Sequence, residues 1–339
     1  MGLFGVVALL APADANGQGW YDPSWQNRKP ITIAGGQIAG DLSDFPVLIS
    51  LTDPDLSAGA LANGFDILFT DANGTTKLDH ERTRWLPGTG ELIAWVKVPS
   101  LTAGVDKTIY MYYGDASASD QQSAAAVWSN GYEAVYHLDD DFSDATGKHA
   151  AGTNFNSVDG PGRIGDGQDF EADNLTDHID IGTWSVAGSQ LTIQTWVRYE
   201  SFTVEDGRVL SKAIDAMENE HVFMLSTINL ASPTNLRARI KTGTLDATGT
   251  TTLIHTTNTV YPNTWYLTAA TYDGANIRLL QDGVQRASVA KTGNLRENGW
   301  SIYLGNNPLD GTTPWYKPLD GILDEVRISS VARPASWLT

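Results

Sequence analysis

The chain contains no cysteine, which excludes disulfides, thiol nucleophiles, thiolate zinc sites and iron–sulfur clusters together. Basic residues are scarce: 22 Lys and Arg stand against 40 Asp and Glu, a formal net charge of −18. The mean field therefore repels phosphate backbones and anionic lipid headgroups, and nucleic acid is a poor candidate partner. With six histidines, a metal site has to be built mainly on oxygen. The chain also lacks a Gly-x-Ser-x-Gly elbow and a Gly-rich loop ending in Gly-Lys-Ser or Gly-Lys-Thr, so neither an α/β-hydrolase nucleophile nor a phosphate-cradling loop is expected. The apolar run at its start is too short to span a bilayer, and no other segment is long and apolar enough for a transmembrane helix. Short-period repeats, heptads and low-complexity tracts are missing as well.

What is present favours β-structure. The 339 residues exceed one ordinary domain at roughly 150 residues each, so two cores are expected. Gly 33, Trp 11 and Tyr 12 describe a turn-rich, aromatic-rich globular chain. The first residues, Met1 to Ala11, are apolar and precede Ala13-Asp14-Ala15, a small-x-small pattern of the kind signal peptidases cut. Residues 1–19 are therefore set apart as an export or N-terminal segment; because a positively charged n-region is missing, the alternative is an apolar N-terminal strand. On the export reading the mature chain is expected outside the cytoplasm: extracellular, at the cell surface or in the periplasm.

Residues 20–114 alternate short strand-like runs with turn residues: Ile31-Thr-Ile33, Phe45 to Leu51, Phe65 to Phe69, Glu91 to Val98 and Thr108 to Tyr113. Asn73-Gly74 marks a tight hairpin and Pro87-Gly88 a further turn. Residues 115–130, rich in Asp, Ser, Ala and Gln, read as a solvated linker. Residues 131–339 resume the strand pattern, from Glu133 to Leu138 through to Gly321 to Ile328, with Asp273-Gly274 and Asp282-Gly283 as turns. The fold class expected is all-β, with two β-sandwich domains.

The second half resembles the laminin-G-like, concanavalin A-type jelly roll of bacterial extracellular proteins. The residues carrying the likeness are Tyr136-His-Leu138-Asp139-Asp140, Gln168-Asp-Phe170, Leu191-Thr-Ile193 with Thr195-Trp196-Val197, and most specifically Gly321-Ile-Leu-Asp324-Glu325-Val326-Arg327-Ile328. The first half resembles a bacterial domain of unknown function that often precedes such jelly rolls, through Arg28-Lys-Pro-Ile-Thr-Ile33, Phe45-Pro-Val47, His80-Glu81 and Trp95-Val-Lys-Val-Pro99. The resemblance implies a binding or adhesion protein recognising a glycan or other surface ligand. Its alternatives are a structural ectodomain with envelope protein partners, since similar domain pairs are fused to TolQ/ExbB-type proton channels, and an enzyme acting on a glycan.

Two constellations follow. Asp139, Asp140 and Asp144 lie after one strand, and Asp324 lies in the last; in the jelly roll these strands run side by side. Calcium, which takes six to eight oxygen ligands, suits such a group, with Asp324 as the first ligand; the alternative is a turn whose Asp side chains bond to backbone amides. Related domains hold a structural calcium in this region, which is what the resemblance implies. The second constellation is Asn306, Asn307, Trp315 and Tyr316, where loop aromatics flanked by amides suit a sugar ring; the alternative is a loop folded back on its own domain. Catalysis is not expected. Alternating carboxylates of the glycosidase kind are not recognised in any strand, and Glu218-Asn-Glu220-His221 reads as an acidic loop.

Overall fold

A computed structural model describes residues 19–339 except 140, 214–220, 244–249, 258, 298, 309–315 and 339. Asp140, Trp315, Glu218, Glu220 and the export segment up to residue 18 therefore lie outside the described residues. The chain divides into two compact units, Met1–Asn130 and Gly131–Leu338.

The first unit is a pair of antiparallel sheets. Its strands are β1 (Asn27–Ile33), β2 (Leu42–Thr52), β3 (Leu68–Thr70), β4 (Lys77–Leu78), β5 (His80–Leu86), β6 (Glu91–Leu101) and β7 (Lys107–Tyr113). One sheet runs β1-β7-β3-β4 and the other β2-β6-β5. β2 and β6 pair over their whole length, from Leu42 opposite Leu101 to Thr52 opposite Glu91. The expected hairpin joins β3 to β4: Asn73 accepts from the amides of Thr75 and Thr76, and Gly74 supplies the positive φ of +76° that the turn needs. The helix α1 (Pro54–Gly59) is capped by Asp53, whose carboxylate accepts from the Asp55 amide.

Residues 115–130 are not the solvated linker expected from their composition. Helix α2 (Ala124–Val127) packs beside β5, and the next residue, Trp128, is fully buried. Its indole donates to Glu81 and meets the Trp95 ring edge-on at 5.5 Å. Lys97 Nζ donates to the Ala126 carbonyl at 3.1 Å. Two bulky side chains, Val127 and Trp128, anchor a stretch whose average composition is that of a tether.

The second unit contains β8 (Tyr132–Tyr136), β9 (Thr153–Phe155), β10 (Val158–Pro161), β11 (Asp166–Phe170), β12 (His178–Asp180), β13 (Leu191–Tyr199), β14 (Arg208–Ala213), β15 (His221–Ile228), β16 (Asn235–Lys241), β17 (Thr250–Ile254), β18 (Trp265–Tyr272), β19 (Asn276–Gln281), β20 (Val284–Ala290), β21 (Tyr303–Leu304) and β22 (Gly321–Ser329). An eight-stranded sheet has the order β10-β11-β22-β13-β18-β19-β20, with β8 also on β22; a seven-stranded sheet has the order β17-β16-β15-β14-β21-β12-β9. Their facing sides share one apolar core, including Ile193, Val197, Phe223, Ile240, Leu279 and Leu323. This is the expected antiparallel jelly roll.

β22 organises it. On one side it pairs with β13; on the other it pairs first with β11, through Gly321 to Leu323, and then with β8, through Val326 to Ser329. The edge changes partner at Asp324-Glu325, where Glu325 has φ +55° and the register with β13 slips between Gln194 and Trp196. A bulge of this kind re-aims side chains out of the pleat.

Candidate ligand face and acidic clusters

The bulge sends Asp324 and Glu325 to different partners. Asp324 is fully buried and accepts the amides of Arg163 at 2.6 Å and Ile164 at 2.7 Å through one oxygen. Burial, and next the charge of Glu325, push its carboxyl well above the usual carboxylate range. Burial would raise Glu325 too, but the charges and hydrogen bonds of His137, at 2.8 Å, and Arg327, at 2.7 Å, outweigh it and hold this carboxyl low. Asp139 accepts the Asp166 amide at 2.9 Å; burial, with the Glu325 charge adding, brings it up to about 6. Asp324 thus fastens the 163–164 turn to the central strand, and Asp139 fastens the start of β11.

Asp144 belongs to a separate arrangement. Its two oxygens take five donors: the amides of Val135, Thr146, Lys148 and His149 and the Thr146 hydroxyl. A carboxylate offers about four lone-pair sites, so Asp144 has none left for a cation. Of the expected calcium ligands, Asp139 and Asp324 are neighbours, Asp144 is spent on its own loop, and Asp140 lies outside the described residues. The turn-forming alternative describes Asp144.

A different trio does meet the distance requirement. Asp169, Glu171 and Glu200 each offer a carboxylate oxygen within 4.8 Å of the others, the only such group of three among the described residues. Burial first, then Glu200 and Glu171, push Asp169 up to about 6. Sequence reasoning missed it because Asp169 was absorbed into a fold signature, and Glu200 joins it only through the pairing of β11 and β13 on either side of β22. Asp169 and Glu171 are also alternate acids, an arrangement the sequence reading did not recognise.

The loop constellation is corrected in the same way. Asn306 and Asn307 are each 1% exposed. Asn306 donates to the carbonyls of Leu175 and Asp177 and accepts the amides of Asn307 and Lys317, which uses its full capacity. Asn307 accepts from the Ser211 hydroxyl at 3.0 Å. Both amides hold the loop onto the seven-stranded sheet and are not displayed to a ligand. Tyr316 is half-buried.

The outer face of the seven-stranded sheet has its own chemistry. Across β14, β15 and β16 one side of the sheet points into the core through Leu210, Leu225 and Ala238, and the alternate residues point outward. These outward positions form two rows, Ser211-Met224-Arg239 and Arg208-Ser226-Arg237, read straight from the register. The first row continues through Tyr303 on β21 to Asp180 on β12. At the far edge, Phe155, His178 and Tyr303 stack face to face, with centroids 4.4 and 4.1 Å apart and planes within 8° and 17°. Phe155 is 43% exposed, and the other two are half-buried. One outer face therefore carries rings at one edge and guanidinium groups toward the other. Trp184, another loop aromatic, instead stacks on His149 at 4.1 Å and packs against the core.

Comparison with known proteins agrees with this architecture. Residues 173–339 match the family model described as the concanavalin A-like lectin/glucanases superfamily, and residues 63–152 match a domain of unknown function (DUF2341). The domain of unknown function followed by the jelly roll is the arrangement expected from the sequence. No curated protein matches the chain. Among solved structures, Domain 4 of AbnA, a GH43 extracellular arabinanase from Geobacillus stearothermophilus in complex with arabinotriose, is 21% identical over 61% of this chain and 96% of that one, with a TM-score of 0.47. A SAP-like pentraxin from Limulus polyphemus is 15% identical over 48% of this chain and 73% of that one, with a TM-score of 0.37. The CBM40 of a Ruminococcus gnavus sialidase is 14% identical over 44% of this chain and 80% of that one, with a TM-score of 0.34.

Proposed function

We propose that the chain is an exported glycan-binding protein whose ligand lies on the outer face of the seven-stranded sheet. The observation carrying this reading is the Phe155–His178–Tyr303 stack, a rigid aromatic ledge open at Phe155 and continuous with a row of hydroxyl, carboxylate and guanidinium groups. A sugar's C–H face stacks on such a ring while polar neighbours bond its hydroxyls. The match of residues 173–339 to a superfamily named for lectins and glucanases supports it. Calcium belongs to the reading as the ion of Asp169, Glu171 and Glu200, in place of the Asp139–Asp144 segment.

A glycan array with the full chain tests it. One exposed ring removes little area from water, at about 25 cal/mol per Å2, so single-site affinity should be modest. Phe155→Ala should lower retention at least tenfold with the melting temperature unchanged; equal retention would overturn the placement. The reading is binding and not hydrolysis. Because Asp169 and Glu171 alternate, reducing-end release is measured on the same glycans. Release that disappears in Glu171→Gln would turn the reading into a glycosidase.

A further inference from the structure

Three guanidinium groups and an imidazole converge on the outer face of β14, β15 and β16. Arg208 is fully buried, Arg237 is 3% and Arg239 8% exposed, and His221 is fully buried. Arg208 Nη2 lies 3.2 Å from His221 Nε2, and Arg239 Nη1 lies 3.4 Å from His221 Nδ1, so one imidazole sits between two guanidiniums. Arg237 stands opposite the same strand as Arg208, donates to the Ser226 hydroxyl at 3.3 Å and pairs with the Asp206 carboxylate at 3.0 Å. Arg208 has no such partner. Its guanidinium donates to the Asp206 backbone carbonyl at 3.0 Å, meets His221, and leaves its buried Nε unbonded.

Enclosing a guanidinium without a carboxylate costs several kcal/mol, and arginine does not escape by losing its proton under ordinary conditions. Burial and then the charge of Arg237, with Arg239 also adding, act against the cation at Arg208, and only Asp206 favours it. Among the described residues Asp206 is the one acid that acts on Arg208, and its carboxylate is engaged by Arg237. The planar fork of arginine fits a carboxylate bidentately, and a second guanidinium across Ser226 provides for the other side.

Building on the glycan reading above, we infer that the ligand is an acidic sugar whose carboxylate binds Arg208 and Arg237 while its ring lies toward the aromatic ledge. Uronic acids and sialic acids share that chemistry. The carboxylate enters beside Asp206, whose side chain is 18% exposed. It exchanges for Asp206 on Arg237 and supplies the anion that Arg208 lacks.

Binding of the full chain is measured on uronic-acid oligosaccharides against their carboxyl-reduced forms, on sialylated against desialylated glycans, and on sulfated analogues. One carboxylated class should bind at least thirtyfold tighter than its neutral counterpart, which also tells the two sources apart. Arg208→Met and Arg237→Met should each remove that preference and leave weak binding to the neutral form. The melting temperature of Arg208→Met should hold or rise; should that variant fail to fold, Arg237→Met decides. Equal affinity for carboxylated and reduced glycans overturns the inference and leaves the glycan reading standing. Equal affinity for sulfated analogues overturns carboxylate recognition in favour of a general anion face. Retained preference in both variants assigns the guanidiniums to the fold alone, and failure to bind any glycan sinks both proposals.

Discussion

The two sheets of the second unit bury charge of opposite sign by different means. In and around the eight-stranded sheet, Asp139, Asp144 and Asp324 are each met by backbone amides. Glu325 has both a histidine and an arginine. On the seven-stranded sheet, Arg208 hydrogen-bonds a carbonyl and an imidazole and, among the described residues, no carboxylate. Carboxylates can be satisfied locally, because every turn offers amide donors. A guanidinium needs five acceptors in a fixed fork, which an outward sheet face does not provide. Buried acids here hold loops, whereas Arg208 is buried without a paired carboxylate among the described residues.

Breaking the acid side should have the largest effect. Asp144→Ala strands five donors, four of them backbone amides, and should cost about 3–5 kcal/mol of stability in the second unit. Chemical denaturation checks it; a loss under 1 kcal/mol would mean that water replaces the carboxylate.

A pH titration extends the contrast to the first unit. His80 is fully buried and its imidazole is held down to about 4 by burial. Its folded form stays neutral while the unfolded form protonates, so stability is full above about 6.5 and is lost progressively as pH falls to about 4. At 1.36 kcal/mol per unit this amounts to roughly 3 kcal/mol. Asp139 and Asp169, both raised to about 6, act in the opposite direction: the folded state holds their protons, so their contribution is present below about 4 and is lost as pH rises through 6. Acidification from pH 7 to 5 should therefore weaken the first unit relative to the second. His80→Phe should flatten that loss in a melting series across pH.

Smaller effects sharpen the comparison. Glu325→Gln should cost about 2 kcal/mol, since it removes a buried carboxylate that pairs with Arg327 and with the half-buried His137. Arg208→Met should change stability by less than about 1 kcal/mol or raise it, because a buried cation gives way to an apolar chain of similar length. A large loss would show that the two sheets treat charge alike. The smallest effect is calcium: addition should raise the melting temperature by a few degrees in wild type and in Asp144→Asn, and by less in Glu171→Gln.

How much of this was legible follows from which interactions are local in sequence. The runs ending in Leu51, Val98, Val197 and Ile328 read correctly because strand patterning is a property of the run itself. β14 was not recognised: Arg208, Ser211 and Lys212 break its apolar pattern, and all three are buried for reasons set by other strands. Asp324 was singled out as a calcium ligand, but its partners, Arg163 and Ile164, stand some 160 positions earlier, so its role as a fastener was not readable. Asn306 and Asn307 look like ligand groups in a loop written as a string. Only the approach of Leu175, Asp177 and Ser211 shows that their hydrogen bonds are already made.

The position of β22 also sets an order of assembly in time. The first unit pairs strands that lie between residues 27 and 113, so it has every partner in hand once that stretch is made. In the second unit β8, β11 and β13 all await a strand that begins at Gly321, nearly two hundred residues after β8. On a ribosome adding about 5–20 residues per second, those edges stay unpaired for roughly six to forty seconds. The unit least able to fold early is the one on which the ligand face is proposed. Slow, non-local closure of this kind leaves strand edges open to neighbouring chains, so chaperone demand and aggregation during synthesis should fall on this half.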